Sequence, residues 1–533
     1  MVGLDNNIIK KINYKLTLDR IINNVQRDFV YAPHINAIYA LAREELWSRL
    51  STQLKNGTFN SSLPITIEVP KPSDFTRPGS ILKPYDRMSY QLAVDNIGPV
   101  AEKQLNRSRV FSNVLLKKDP KGLMFKSSGE CYSSFQNKLV EFAKKENFSS
   151  VLKADIASYF QNINQHTLIN LLSSAGCDNL IVSFLEKLLS FFTEKSSRGI
   201  IQGVFPSDFL GNFYLCFIDG EYSLKKIPFF RYVDDIYSFF SSRKKAFIHQ
   251  LQLINWLRKE DLYLNEYKTK ILPTEVLLTE ETKIKKMFER AKEEVILELE
   301  EEFGEEVKEE IEAFYLSTIQ WDFLPSGVME PEIDYEEVEI DATKKLFDLK
   351  DVDPFTRDRI DKFCIPVFTK FKDDYGIEYV LKEYTKRAHM AQIFASYIGK
   401  IIRLRPDYIR KAEKLFLDKD IFFEYQYMWL YAALMGAKKI KKTTIDFSIK
   451  QLRNANLSKA LRAICAIFIG KFGNTVQKRL LKNHYSQEQS GYVRSAILHA
   501  ARHFPSSEKN ACYRAWGGHN ELNSLVLCAA RKI

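Results

Sequence analysis

Cysteine is scarce in this sequence and follows no pattern. Cys131, Cys177, Cys216, Cys364, Cys465, Cys512 and Cys528 are scattered, odd in number and never in C-x-x-C spacing. That argues against a disulfide framework or a zinc knuckle and fits a reducing compartment. Long apolar runs are missing too. No charge-free stretch reaches the length that spans a bilayer, and the N-terminus has no apolar signal segment. A cytoplasmic protein without membrane association is the expectation. Nor is there an H-E-x-x-H, a nuclease-like carboxylate cluster or an integrase-like segment.

Acidic residues are outnumbered. Lys and Arg total 78 against 67 Asp and Glu, giving a net charge of +11, which suits a polyanionic partner such as nucleic acid. A hydrophobic content of 45% supplies ample core. The chain is too long for one core, so roughly two to four domains are expected.

The most informative stretch runs from Phe229 to Phe240, where Asp234-Asp235 sits between apolar and aromatic runs. The pattern predicts a buried β-hairpin with its charges at the turn. A surface Asp-Asp turn is the plainer explanation of the pair alone. Buried carboxylates are costly unless paired or metal-bound, so a pair at the tip of an apolar hairpin calls for a cation.

Taken in order, residues 1–60 form a polar, mostly helical segment, with Ile35 to Trp47 at helical spacing. Ile65 to Val69 alternates as a strand ended by Pro70, and Lys71 and Arg77 flank the turn after it. Two cations there could close over a triphosphate, although these residues alone are better explained as a solvated basic loop. Mostly helix is expected over 88–150. Val151 to Ala154 is an apolar strand ending at Asp155, a position suited either to a metal or to capping the helix that follows. A helical region spans 178–193. Gly199 to Ser207 is a glycine-punctuated loop in which Gln202-Gly203 could bring backbone close to a ligand, before an apolar helix from Asp208 to Asp219. A helix is predicted for Lys244–Glu260, then loop and strand for Leu262–Leu272.

Together these segments resemble a reverse transcriptase over roughly the first half of the chain. Asp155-Ile156 with Phe160 resembles that family's first catalytic motif, and Gln202-Gly203 with Ser207 and Asn212 its second. Tyr232-Val233-Asp234-Asp235 resembles the signature hairpin. Leu262-x-Leu264-Asn265 with Lys268-Thr269 resembles the motif after it. Pro70-Lys71-Pro72, Arg77-Pro78 and Asp86-Arg87 resemble the fingers of bacterial and intron-encoded members. The chain departs from many bacterial relatives at Val233, Phe205 and Asp208, which bears on template use.

The resemblance implies an α+β right-hand polymerase, fingers and palm, over 61–275. It implies two Mg²⁺ ions, with Mn²⁺ as an alternative, set about 3.5–4 Å apart. Their ligands would be Asp155, Asp234, Asp235 and the carbonyl of Ile156. Lys71 and Arg77 would hold the triphosphate of a dNTP, and Gln202 and Gly203 would line the nucleotide pocket. Phe160 would exclude a 2′-hydroxyl, and Lys268 would protonate pyrophosphate.

The second half differs in kind. Lys283–Phe314 is a charged helical stretch with the acidic run Glu298–Glu302. Gln320 to Pro354 is acidic and proline-punctuated, and little regular structure is expected there. The boundaries are thus 276–354 for a charged connector and 355–533 for successive helices. Ser495 to Arg502 is echoed 29 residues later by Ser524 to Arg531, which suggests a helical repeat; a generic bundle explains it nearly as well. Arg403, Arg405 and Lys438 to Lys442 could track a phosphate backbone.

A polymerase domain followed by an all-α, HEAT-like repeat domain resembles the bacterial abortive-infection polymerases of phage defence. That resemblance implies DNA synthesis, often without a template, primed from a protein hydroxyl that keeps the product covalently attached. Tyrosine is the best candidate because its phenol is a competent nucleophile. Helical arrays often mediate self-association, so a homo-oligomer is expected. The alternatives are a retron-like enzyme copying an RNA template, and a catalytically inactive scaffold.

Overall fold

The computed structural model describes residues 3–532 apart from 26, 74, 118–121, 146–147, 195, 280–282, 284–285, 289, 292–293 and 296–334. The acidic run Glu298–Glu302 and most of the charged stretch Lys283–Phe314 lie outside the described residues. The chain divides into two compact units. One comprises residues 1–275, 422–431 and 439–533; the other comprises 276–421 and 432–438.

The first unit is built on a four-stranded antiparallel sheet. In chain order its strands are β3 (Ser150–Ala154), β4 (Phe229–Tyr232), β5 (Asp235–Phe240) and β6 (Lys270–Pro273), arranged β4-β5-β3-β6. The runs forming β4 and β5 carry apolar or aromatic residues on both faces, with Arg231 and Ser238 buried among them, because both faces of this sheet are covered. On one face Phe230, Tyr237 and Phe239 meet Phe135 and Phe142 of the helix Ser128–Lys145. On the other, Phe229 stacks on Tyr222, and His249 of the helix Arg243–Lys259 packs against Phe240. Period-two alternation therefore divides one apolar run between two cores.

Strands β1 (Ile65–Pro70) and β2 (Thr76–Ile81) form a separate hairpin. β2 was not evident in the sequence, since it contains Pro78 and Gly79. A strand with only one partner tolerates proline on its open side. Beside this hairpin the helix Pro84–Ala101 is buried on nearly every side, its polar residues Arg87, Ser89 and Gln91 included. Arg87 is 1% exposed and donates to Asp28 Oδ1 (3.0 Å) and Asn24 Oδ1 (2.7 Å).

Several boundaries differ from the sequence expectation. The helix predicted across Ile35–Trp47 is two, Pro33–Leu41 and Arg43–Lys55, broken at Ala42, whose φ of −115° is not helical. The helix predicted from Asp208 to Asp219 is also two, Phe205–Tyr214 and Cys216–Leu224, with Pro206 in the first turn. Hydrophobic period reports which face is buried, and it runs on across a break that keeps that face inward. The connector 320–354, expected to be irregular, holds the helix Tyr335–Phe347. Val338, Ala342 and Leu346 are buried on one side of it, while Glu339, Asp341, Lys344 and Lys345 are partly exposed.

The helices of residues 355–533 fall in both units. In the second unit, Pro354–Phe371, Ile377–Glu383 and Ala391–Leu404 enclose Ile360, Phe368, Val380 and Ile398. Fully buried Asp361 is held there by Arg357, Arg387 and the Tyr379 hydroxyl. In the first unit, the helices Lys442–Arg453, Lys459–Phe472, Gly491–Ala500 and Glu521–Ala530 pack in succession, and Pro33–Leu41 packs on the last of them. The two echoed segments, Ser495–Arg502 and Ser524–Arg531, thus lie on adjacent helices of one stack. All seven cysteines are free. Among the described residues no helix is long and apolar enough to cross a membrane.

The Arg87–Asp28 pair gives the first test. Arg87→Met strands a buried carboxylate and should lower stability by about 3–5 kcal/mol, read as a fall in urea midpoint. A companion Arg87→Met/Asp28→Leu chain should recover much of that loss.

Candidate active site

Antiparallel pairing decides where the acids meet. β3 runs against β5 with Ala154 opposite Ile236, so the residue after β3, Asp155, emerges beside the start of β5. Tyr232 pairs with Asp235, leaving Val233 and Asp234 as a two-residue turn at that same end of the sheet. Beyond β3 the chain bridges Ile156 to Leu264, and Asn265 N–H donates to the Asp155 carbonyl at 2.7 Å. Asn265 Oδ1 accepts from the N–H groups of Tyr267 and Lys268, which turns Lys268 back so that its Nζ lies 3.0 Å from Asp155 Oδ1.

The turn is under strain. Val233 has φ +54°, a left-handed conformation that a β-branched residue avoids at a cost of about 1–3 kcal/mol. Two hydrogen bonds hold it. Val233 N–H donates to Ser112 Oγ, and Arg231 Nη1 donates to the Val233 carbonyl, each at 2.8 Å. The same guanidinium, fully buried, donates to Asp219 through Nε (2.9 Å) and Nη2 (2.5 Å), and to Asn212 Oδ1 (2.9 Å) and the Asn212 carbonyl (3.1 Å). Asn212 in turn donates to the Ser112 carbonyl, 2.8 Å.

Around the acids lies a cavity of about 310 Å³. Lys71, Arg77, Asp155, Ile156, Phe160, Gln202, Asp234, Asp235 and Lys268 all line it, joined by Ser158, Tyr159, Gln161 and Asn265. Gly203, expected to line the nucleotide pocket, is not among its walls. Its role is local: at φ +92°, a side chain there would also run into Phe29, 2.9 Å away. Ser207 and Asn212 are buried behind the cavity, Ser207 against the Tyr90 hydroxyl at 2.8 Å. Phe160 is seated because Gly211 has no Cβ; one would lie 2.9 Å from its ring.

Arg77 stacks over the ring of Phe29, 4.5 Å from its centroid, and its buried Nε has no hydrogen-bond partner. Burial lowers its pKa, opposed by nearby Tyr425. A guanidinium that lines the cavity without a carboxylate partner among the described residues is suited to an incoming anion. Arg405, a candidate for tracking a phosphate backbone, is instead bound to Asp374 at 2.6 Å.

The carboxylates repel one another. Burial, then Asp235 and Asp155, push Asp234 up to about 7. At Lys268 burial works against the charge, but the hydrogen bond and charge of Asp155, with Asp235 and Asp234, outweigh it and hold the ammonium above its ordinary value. Two acids at the turn with Asp155 beside them, one of the three driven toward neutrality, are oxygen donors of the type a hard divalent ion takes. Among the described residues no group of three or more acidic, His or Cys side chains is placed to hold a metal ion.

Arg231, Asp219 and Ser112 were missed by sequence reasoning. A lone arginine inside an apolar strand was the available signal. Its partner twelve residues upstream had none.

Residues 69–285 match the family described as "Reverse transcriptase (RNA-dependent DNA polymerase)". These residues are a reverse transcriptase domain, and the chain is an enzyme of the RNA-directed DNA polymerase class, a class that works with divalent metal ions, dNTPs and nucleic acid. No curated protein matches the chain. Among solved structures, apo telomerase from Candida Tropicalis is 10% identical and aligns over 91% of this chain and 73% of that one, with a TM-score of 0.30.

Two outcomes follow from this geometry. Arg231→Lys keeps the charge but loses the fork that grips Asp219, Asn212 and Val233 together; nucleotide incorporation should fall about 10²-fold as the turn shifts, while circular dichroism stays native. Asp234 takes up a proton on folding, its folded value of about 7 lying above the unfolded carboxylate range. Its contribution to stability therefore declines as pH rises from about 4 to 7 and stays low beyond. Asp234→Asn should raise the melting temperature at pH 8 in chelator by a few degrees, with no gain at pH 4, while abolishing incorporation.

Proposed function

We propose that this chain builds DNA from deoxynucleoside triphosphates at the cavity around Asp155 and Asp234, in the cytoplasm, as part of a defence against phage. The observation that carries the polymerase reading is that one cavity collects cations from the β1–β2 hairpin, acids from β3 and the β4–β5 turn, and Lys268.

Asp155, Asp234, Asp235 and the Ile156 carbonyl would hold the divalent ions, Mg²⁺ or Mn²⁺. When bound, such ions supply the positive charge that favours the 3′-alkoxide and the triphosphate. Lys71 and Arg77 bind the triphosphate and orient it for in-line attack. The 3′-oxygen bonds to the α-phosphorus as the bond to pyrophosphate breaks. Lys268, held protonated by the acids around it, is placed to give its proton to the departing pyrophosphate. Phe160, seated against Gly211, fills the space a 2′-hydroxyl would need. Gln202 lines the base side of the pocket, and Gly203 lets its loop pass Phe29.

The finer reading is an abortive-infection polymerase. The stack of helices following the polymerase domain supports a HEAT-like repeat in place of a thumb. Synthesis is then untemplated and begins on a tyrosine hydroxyl, leaving product attached to the protein, and the enzyme works as a homo-oligomer. Boundaries near 60, 275 and 354 follow the changes in composition.

The test is incorporation of labelled dNTPs with Mg²⁺, with and without added RNA. Product in both supports untemplated synthesis, and label should then stay with the polypeptide through denaturing electrophoresis. Product only with RNA favours the retron-like enzyme, and none favours a scaffold. Asp155→Ala should cost about 10³-fold or more in rate. Phe160→Ala should raise ribonucleotide use relative to deoxynucleotide use; an unchanged ratio would make Phe160 a packing residue only.

A further inference from the structure

A second cavity, larger than the catalytic one, lies in the C-terminal helices. About 570 Å³ in volume, it is lined by Lys509, Asn510, Tyr513 and Arg514 of the helix Ser506–Trp516 and by Ala530 and Arg531 at the end of Glu521–Ala530. Its walls carry three cations and no acid. Among the described residues none of the three has an ion-pair partner, although the chain elsewhere pairs its arginines freely.

The usual explanation of such a cluster is a solvated basic face. Tyr513 speaks against it. This residue is 7% exposed, its hydroxyl is buried, and that hydroxyl has no hydrogen-bond partner. Tyr513 lines the cavity, and a buried hydroxyl without a partner is a donor that an acceptor entering beside these cations would satisfy. Arg502 and Arg531 act on the phenol electrostatically from nearby. One feature opposes an anion: Ala530 and Arg531 close the carbonyl end of their helix, which carries about half a negative charge. Three full positive charges outweigh it.

We propose that this cavity binds the phosphate groups of a nucleotide ligand, with Lys509, Arg514 and Arg531 taking the charge and Tyr513 donating one hydrogen bond. The volume suits a nucleotide-sized unit. Cations on two helices with an amide between them suit a phosphodiester backbone passing through, and a free nucleotide would offer the same groups. The site lies outside the catalytic cavity and its test reads binding alone, so its failure would leave the polymerase reading untouched.

The full-length chain in chelator is titrated with a 5′-labelled oligo(dT), and separately with dATP, over a range of salt. Charge reversal at all three cations, Lys509→Glu, Arg514→Glu and Arg531→Glu, should weaken oligonucleotide binding at least tenfold. It should also flatten the dependence of log Kd on log salt by about 0.7 for each phosphate no longer neutralised. If oligonucleotide affinity holds while dATP stoichiometry drops from two to one, the ligand is a free nucleotide and the phosphate site stands. Tyr513→Phe, which removes one oxygen and keeps the ring, should weaken the same ligand about tenfold, and it serves if charge reversal impairs folding. Unchanged affinity, stoichiometry and salt slope for both probes, in whichever variant folds, would overturn the proposal.

Discussion

Arg231 is wholly buried, and its guanidinium is shared among Asp219, Asn212 and the carbonyl of Val233. Burying an ion pair costs several kcal/mol of hydration per ion, and attraction offsets that only when every donor finds a partner. Here the fork is satisfied by the three groups that must be fixed relative to one another: the helix Cys216–Leu224, the helix Phe205–Tyr214 and the tip of the β4–β5 hairpin. An apolar residue of equal size would fill the space at lower electrostatic cost. It would not hold a valine at positive φ, and without that strained turn Asp234 would not be presented next to Asp155.

A comparable arrangement recurs on the other side of the cavity. Asn24 accepts from Arg87 and from Phe205 N–H, and its amide reaches the Gly203 carbonyl, 3.5 Å away. The loop bearing Gln202 is thereby tied to the N-terminal helix Tyr14–Val25, and Arg77 is supported from beneath by Phe29. A segment that looked like a polar preface to the domain is part of its framework. The C-terminal helices are as closely bound to it. Glu521–Ala530 packs on Pro33–Leu41, and His34 lies edge-on to Tyr492, 4.8 Å between ring centroids. Residues 439–533 therefore share a core with the first 55 residues, which places the basic C-terminal cavity in the same compact unit as the polymerase domain.

What the sequence by itself determined is local. The apolar runs around Asp234-Asp235, the strand ending at Asp155 and the helices of the second half follow from side-chain period and composition, because these depend on neighbours a few residues apart. Most residues that line the cavity around Asp155 and Asp234 were legible for the same reason: acids and cations in apolar or glycine-punctuated settings stand out. Helix breaks at Ala42 and Leu215 were not legible, since the buried face runs straight across them, nor was β2, which depends on a partner strand to be one. Tertiary structure alone decided that Arg231 would pair with Asp219, that Phe29 would support both Arg77 and Gly203, and that the chain's two ends would share a core. Each of these is a contact between distant segments whose geometry is set by strand register and helix packing. A hydrophobic pattern carries no record of which distant face will cover it.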